Sequence, residues 1–108
     1  MMNKNGVLLW VDDEIDLLRA HILFLENKGY QVDTVTNGRD AIERCRQFNY
    51  DLVLLDEHMV GMSGLETLGY IKENNPNIPI VLLEEDLPEG RYLRYHLHRR
   101  CGCVLGHL

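Results

Sequence analysis

Asp12 and Asp13 directly follow the apolar run Val7-Leu8-Leu9-Trp10-Val11, and Asp56 ends a second run, Leu52-Val53-Leu54-Leu55. Carboxylates brought close together repel one another, so three gathered in one crevice need a cation. A hard divalent ion such as Mg2+ accepts one or two carboxylates together with water and phosphate oxygens. Beside such an ion, an aspartate carboxylate can attack phosphorus. Phosphoryl transfer onto Asp56 is therefore the chemistry these residues suggest. A lone acid after a strand serves equally well as a helix N-cap, the plainer reading for Asp13 taken alone. Three acids at two strand ends are harder to explain that way.

The elements that must position these acids follow from periodicity. Apolar runs bounded by polar residues read as strands covered on both faces of a parallel sheet, where ligands gather at the carboxyl ends. After Asp13, the spacing of Ile15, Leu18, Ile22 and Leu25 predicts an amphipathic helix, closed by Lys28-Gly29. Acids at its start, Asp13, Glu14 and Asp16, suit the positive end of the helix dipole. Gln31 to Val35 alternates as an edge strand should. Thr36-Asn37-Gly38 signals a turn, and Ala41, Ile42, Cys45 and Phe48 mark a second helical face. Gly61 and Gly64 mark a loop, and Leu65, Leu68 and Ile71 a third helix stopped by Asn74-Asn75-Pro76. Ile80 to Leu83 is a further buried strand. The alternation β-α-β-α-β-α-β implies a doubly wound α/β sheet. Cys45 reads as core, Trp10 as packed beneath a helix, and His21 as a boundary residue.

At 108 residues, with 45% hydrophobic and 26% charged, the chain is one small globular domain. A net charge of -6 argues against a nucleic-acid surface. The acids stop at Glu89, and four arginines (Arg91, Arg94, Arg99, Arg100) make the end of the chain basic. Met1 to Gly6 is polar, so no secretory leader is expected; no apolar run reaches membrane-spanning length, and three cysteines make an odd count. A cytoplasmic location with reduced thiols is expected.

Val11-Asp12-Asp13, the strand end Leu54-Leu55-Asp56, and Met59-Val60-Gly61-Met62-Ser63-Gly64 beyond it resemble the receiver domain of two-component response regulators. The resemblance covers roughly residues 6–83 and implies a flavodoxin-like, CheY-like fold with the first and third strands adjacent, giving sheet order 2-1-3-4 over the part present. It implies that Asp56 accepts a phosphoryl group from a sensor histidine kinase and that a downstream protein or effector domain reads the result. It also implies Mg2+ held by Asp13, Asp56, the backbone carbonyl of His58 and, through water, Asp12. The stretch from Asp56 to Glu66 looks closest to PorX-type regulators. Val60 stands where a proline often follows the methionine.

The likeness breaks after residue 83. Receivers place Ser or Thr at the end of the fourth strand and Lys at the end of a fifth. Here Glu84-Glu85-Asp86 follow Leu83, and the last lysine is Lys72. A carboxylate about 4 Å from a phosphoryl charge costs roughly 1 to 4 kcal/mol between water-like and surface-like screening. Residues 1–83 therefore read as a truncated receiver domain, and 84–108 as an atypical tail in which the final helix-strand-helix is missing or replaced. A truncated or frame-altered gene product and a natural variant ending both fit that composition shift. Leu93 and Leu97 suggest a short helix, and Cys103-Val104-Leu105 a stub of strand weakened by Gly102 and Gly106. Without a fifth strand the fourth becomes an exposed edge, through which homodimerisation is expected. His96-x-His98, Cys101-x-Cys103 and His107 are Zn2+-type ligands, but the cysteine step is shorter than usual. A phosphorylation-independent pseudo-receiver acting as a protein-binding module is the alternative function. An aspartyl-nucleophile phosphatase ranks last, because His58 stands where a second acid is wanted.

Overall fold

Gly6–Val11 forms β1, followed by a 3-10 turn at Ile15–Leu18 and helix α1 at Arg19–Asn27. Then come β2 (Tyr30–Val35), α2 (Gly38–Gln47), β3 (Leu52–Asp56), α3 (Gly64–Asn74), β4 (Ile80–Glu85), β5 (Leu93–Arg99) and β6 (Gly102–His107). The computed structural model describes residues 5–85, 93–99 and 102–107, with side chains up to Leu83. All six strands form one sheet in the order β2-β1-β3-β4-β5-β6. The first four are parallel, in the order 2-1-3-4 expected from the sequence.

Alternation along the strands divides the interior. Leu9, Val11, Val53, Leu55, Ile80 and Leu82 join Ala41 of α2 and Leu68 and Ile71 of α3 in one buried cluster. Leu8 and Trp10 are buried on the opposite face, where the Trp10 ring meets His21 of α1 edge-on at 6.4 Å. Cys45 packs against the main cluster, as expected, and its burial pushes the thiol up to about 11. His21 is exposed rather than at a boundary.

The helices begin differently. The Asn37 side chain accepts a hydrogen bond from Asp40 N at 2.8 Å, capping α2. Ser63 and Glu66 form a reciprocal capping box on α3, each satisfying the other's backbone N–H. The single helix expected after Asp13 is instead split into the 3-10 turn and α1, and neither has a side-chain cap. Ile15, Leu18, Ile22 and Leu25 are half-buried, and no residue of the turn or of α1 is fully buried. Phe48 and Leu65 also depart from the helical stripe. Phe48 lies past the end of α2 in extended backbone, Leu65 sits in the first turn of α3, and both are exposed.

The tail corrects two expectations. Leu93–Arg99 is a strand and not a helix, because it pairs antiparallel with β4, with Leu82 opposite His96 and Leu83 opposite Tyr95. The expected stub becomes all of β6, antiparallel to β5. Among the described residues, the antiparallel strands β5 and β6 follow β4 in the sheet, and β4 is not an edge. The edge strands of this sheet are β2 and β6. Cys101 lies outside the described residues, and so does most of the 84–93 connection. Among the described residues no helix is long and apolar enough to cross a membrane.

Candidate metal and phosphoacceptor site

Strand register brings the acids together. Val11 pairs with Leu55 across β1 and β3, so Asp12 and Asp56 are the next residues of two adjacent chains. Val11 also pairs with Val35, and Asp12 N donates to Val35 O at 3.2 Å, which extends the β1–β2 ladder by one residue. Each of Asp12, Asp13 and Asp56 offers a carboxylate oxygen, and the three oxygens all lie within 4.8 Å of one another. Asp12 and Asp56 are half-buried, whereas Asp13 is exposed.

Three hydrogen bonds orient these carboxylates. Asp12 Oδ1 accepts from Glu14 N at 2.8 Å, Asp56 Oδ1 from His58 N at 3.3 Å, and Asp13 Oδ2 from Val60 N at 3.2 Å. The last bond ties the loop after β3 to the loop after β1. Burial raises the Asp56 carboxyl to about 6; the Asp12 charge adds to the rise, the His58 N–H opposes it, and Asp13 contributes a further increment. Asp12 is also raised, first by burial, against the hydrogen bond from Glu14, with the Asp13 charge adding. The pocket thus concentrates negative charge.

The donor set suits a small hard cation. All three donors are carboxylate oxygens, with none of the sulfur or imidazole that softer metals prefer. Oxygens at about 2.1 Å from Mg2+ lie at most about 4.2 Å apart, so small side-chain rotations close the cluster around an ion. A surface groove lies elsewhere, between α1 and β2, where Ile15, Arg19, Ile22, Val32 and Thr34 surround about 410 Å³. The carboxylate convergence is the better guide to chemistry, because a shallow solvent-filled groove supplies no reactive group.

Sequence reasoning named all three acids, and the structure brings all three together. His58 follows within the same loop, its side chain exposed. Three contributors escaped notice: Val60 N, Glu57, and the Ser63 cap that anchors the loop. Only the cap carried a legible signal, the Ser-x-x-Glu spacing at 63–66. The Ser or Thr and the Lys that were found wanting have no replacement among the described side chains. Glu84 follows Leu83, the β4 residue paired with Asp56. Lys72 donates to the carbonyls of Ile78 at 2.6 Å and Pro76 at 3.3 Å, where the chain enters β4. That is the opposite end of the sheet from Asp56.

A parallel 2-1-3-4 sheet carrying three acids at the carboxyl ends of its two central strands defines a receiver. The chain belongs to the response regulator receiver domain family, which matches residues 8–88. Among characterised relatives it is 41% identical to the transcriptional regulatory protein ZraR of Klebsiella oxytoca over 83 residues, 77% of this chain and 19% of ZraR. To the transcriptional regulatory protein ResD of Bacillus subtilis it is 40% identical over 81 residues, 75% of this chain and 33% of ResD. It therefore spans about a fifth to a third of the length of those regulators. The response regulator TrrA of Thermotoga maritima, solved with Mg2+-BeF, superposes with a TM-score of 0.69 at 39% identity, over 74% of this chain and 70% of TrrA. The complex of histidine kinase ThkA with TrrA matches at a TM-score of 0.69 and 36% identity, over 78% of this chain and 73% of that one.

Proposed function

We propose that this receiver accepts a phosphoryl group on Asp56 from a sensor histidine kinase. A carboxylate oxygen of Asp56 forms the new P–O bond as the P–N bond to the kinase histidine breaks, and the imidazole keeps that electron pair. Asp13, Asp56, the His58 backbone carbonyl and, through water, Asp12 would hold Mg2+. The ion would offset charge that builds on the transferred group. The convergence of three carboxylate oxygens within 4.8 Å carries this reading. The solved Mg2+-BeF and kinase complexes of TrrA support the choice of cation and partner.

A downstream protein or effector domain would read the phosphorylated state, in the cytoplasm. The PorX-type likeness of residues 56–66 is a narrower proposal of the same kind. A homodimer through a sheet edge now points to β2 or β6, because β5 covers β4. A specific observation favours a second reading, a binding module that keeps the pocket but lacks the switch. Glu84 stands where receivers carry a hydroxyl, and Lys72 is held at the far end of the sheet.

Incubation with acetyl phosphate and Mg2+, followed by intact-mass measurement, separates the two. Mass gain of one phosphoryl group that disappears in Asp56→Asn supports the acceptor. Mg2+ binding without mass gain supports the module.

A further inference from the structure

Glu57 stands between Asp56 and His58, and its backbone and side chain are both engaged. Its N–H donates to Leu83 O at 3.0 Å, continuing the β3–β4 ladder one residue past Asp56. Its carbonyl accepts from Gly64 N at 3.0 Å, and its Oε1 accepts from Leu65 N at 2.8 Å. Gly64 and Leu65 are the first two residues of α3, whose N–H groups have no partner within the helix. The Ser63 hydroxyl takes the next donor, Glu66 N, and the Ser63 carbonyl takes Thr67 N. Glu57 and Ser63 together thus satisfy the whole first turn.

The fit is close. A Cβ on Gly64 would run into the Asp56 carbonyl and lie 2.8 Å from Glu57 Cα, so the backbone at 56–57 rests directly on the helix.

We infer that Glu57 is a positioning residue for the acid site: by capping α3 through Leu65 N it fixes the chain that presents Asp56 and the His58 carbonyl. This rests on the Mg2+-dependent reading above. Glu57 is not one of the three converging acids, and its Oε1 is taken by Leu65 N. Its reach, and not its charge, is what matters.

Two conservative variants separate those properties. Glu57→Gln keeps the reach and an acceptor oxygen but loses the charge, whereas Glu57→Asp keeps the charge and is one methylene too short. Mg2+ affinity is measured by calorimetry on the full chain, with circular dichroism confirming an equal folded fraction. Glu57→Asp is expected to lose about tenfold or more, in the range seen when supports of metal ligands are removed. Glu57→Gln should bind close to the parent. Glu57→Ala should repeat the loss, providing a second short side chain if the aspartate variant folds poorly. Phosphoryl uptake from acetyl phosphate should follow the same order at limiting Mg2+ and converge at saturation, which a mere loss of helix stability would not produce. Parental affinity in Glu57→Asp, or a glutamine variant no better than it, overturns the role. A parent chain that takes neither Mg2+ nor phosphoryl overturns the reading of Asp56 instead, and this inference with it.

Discussion

The two helical layers on either side of the sheet are built to different standards. On one side α2 and α3 are capped by side chains and bury Ala41, Thr67, Leu68 and Ile71. On the other, the 3-10 turn and α1 lack side-chain caps, bury nothing fully, and leave Leu17 and Phe24 exposed. Asp56 leads into the firm layer, while Asp12 and Asp13 lead into the loose one. Asp56 therefore precedes a capped helix that buries side chains in the core, whereas Asp12 and Asp13 precede an uncapped, half-exposed segment.

Core truncations test the asymmetry most strongly. Ile71→Ala, at a position 1% exposed, should cost about 2–5 kcal/mol in urea denaturation. Ile22→Ala, half-buried on α1, should cost no more than about half that. Equal costs would mean that the layers are equally firm.

The charge on Asp56 gives the next largest effect. Asp56 rises from an ordinary 3.8 to about 6, so the folded state holds the proton more tightly than the unfolded chain does. The resulting destabilisation is absent below about pH 4, grows as pH rises, and is complete above about 6. Without divalent cation at pH 7, Asp56→Asn should therefore be more stable than the parent by about 1–2 kcal/mol, allowing for solvent screening of a half-buried group. The gain should vanish near pH 4. Added Mg2+ should stabilise the parent and leave the variant behind, and thermal melts across pH read both effects.

The smallest effect sharpens the role of the caps. Ser63→Ala removes the acceptor for Glu66 N and should cost about 1 kcal/mol. Amide exchange should quicken through the first turn of α3 and leave α1 unchanged.

The parallel half was legible because its strands are covered on both faces, so Val7–Val11 and Leu52–Leu55 read as continuous apolar runs. The acids were legible because strand ends are where such sheets place their chemistry. The tail was not. Leu93 and Leu97 fit a helical spacing of four and equally a strand spacing of two, and pairing with β4 decides between them. The broken helix after Asp13 was hidden for a similar reason, since periodicity says nothing about a missing cap. Glu57 was invisible because its partner, Leu65, is eight residues away and meets it only after the loop has closed.

The central place of β1 has a consequence for synthesis. It leaves the ribosome before every other strand of this sheet, with Leu8, Leu9, Trp10 and Val11 all destined for the interior, yet both its neighbours are encoded later. Until β3 has emerged, that segment can be sheltered only on one flank, by β2. Pairings that span many residues form slowly and expose apolar chain while they wait. This domain is thus most vulnerable to wrong association before β3 is made, when the segment that leads into Asp12 and Asp13 is still unshielded.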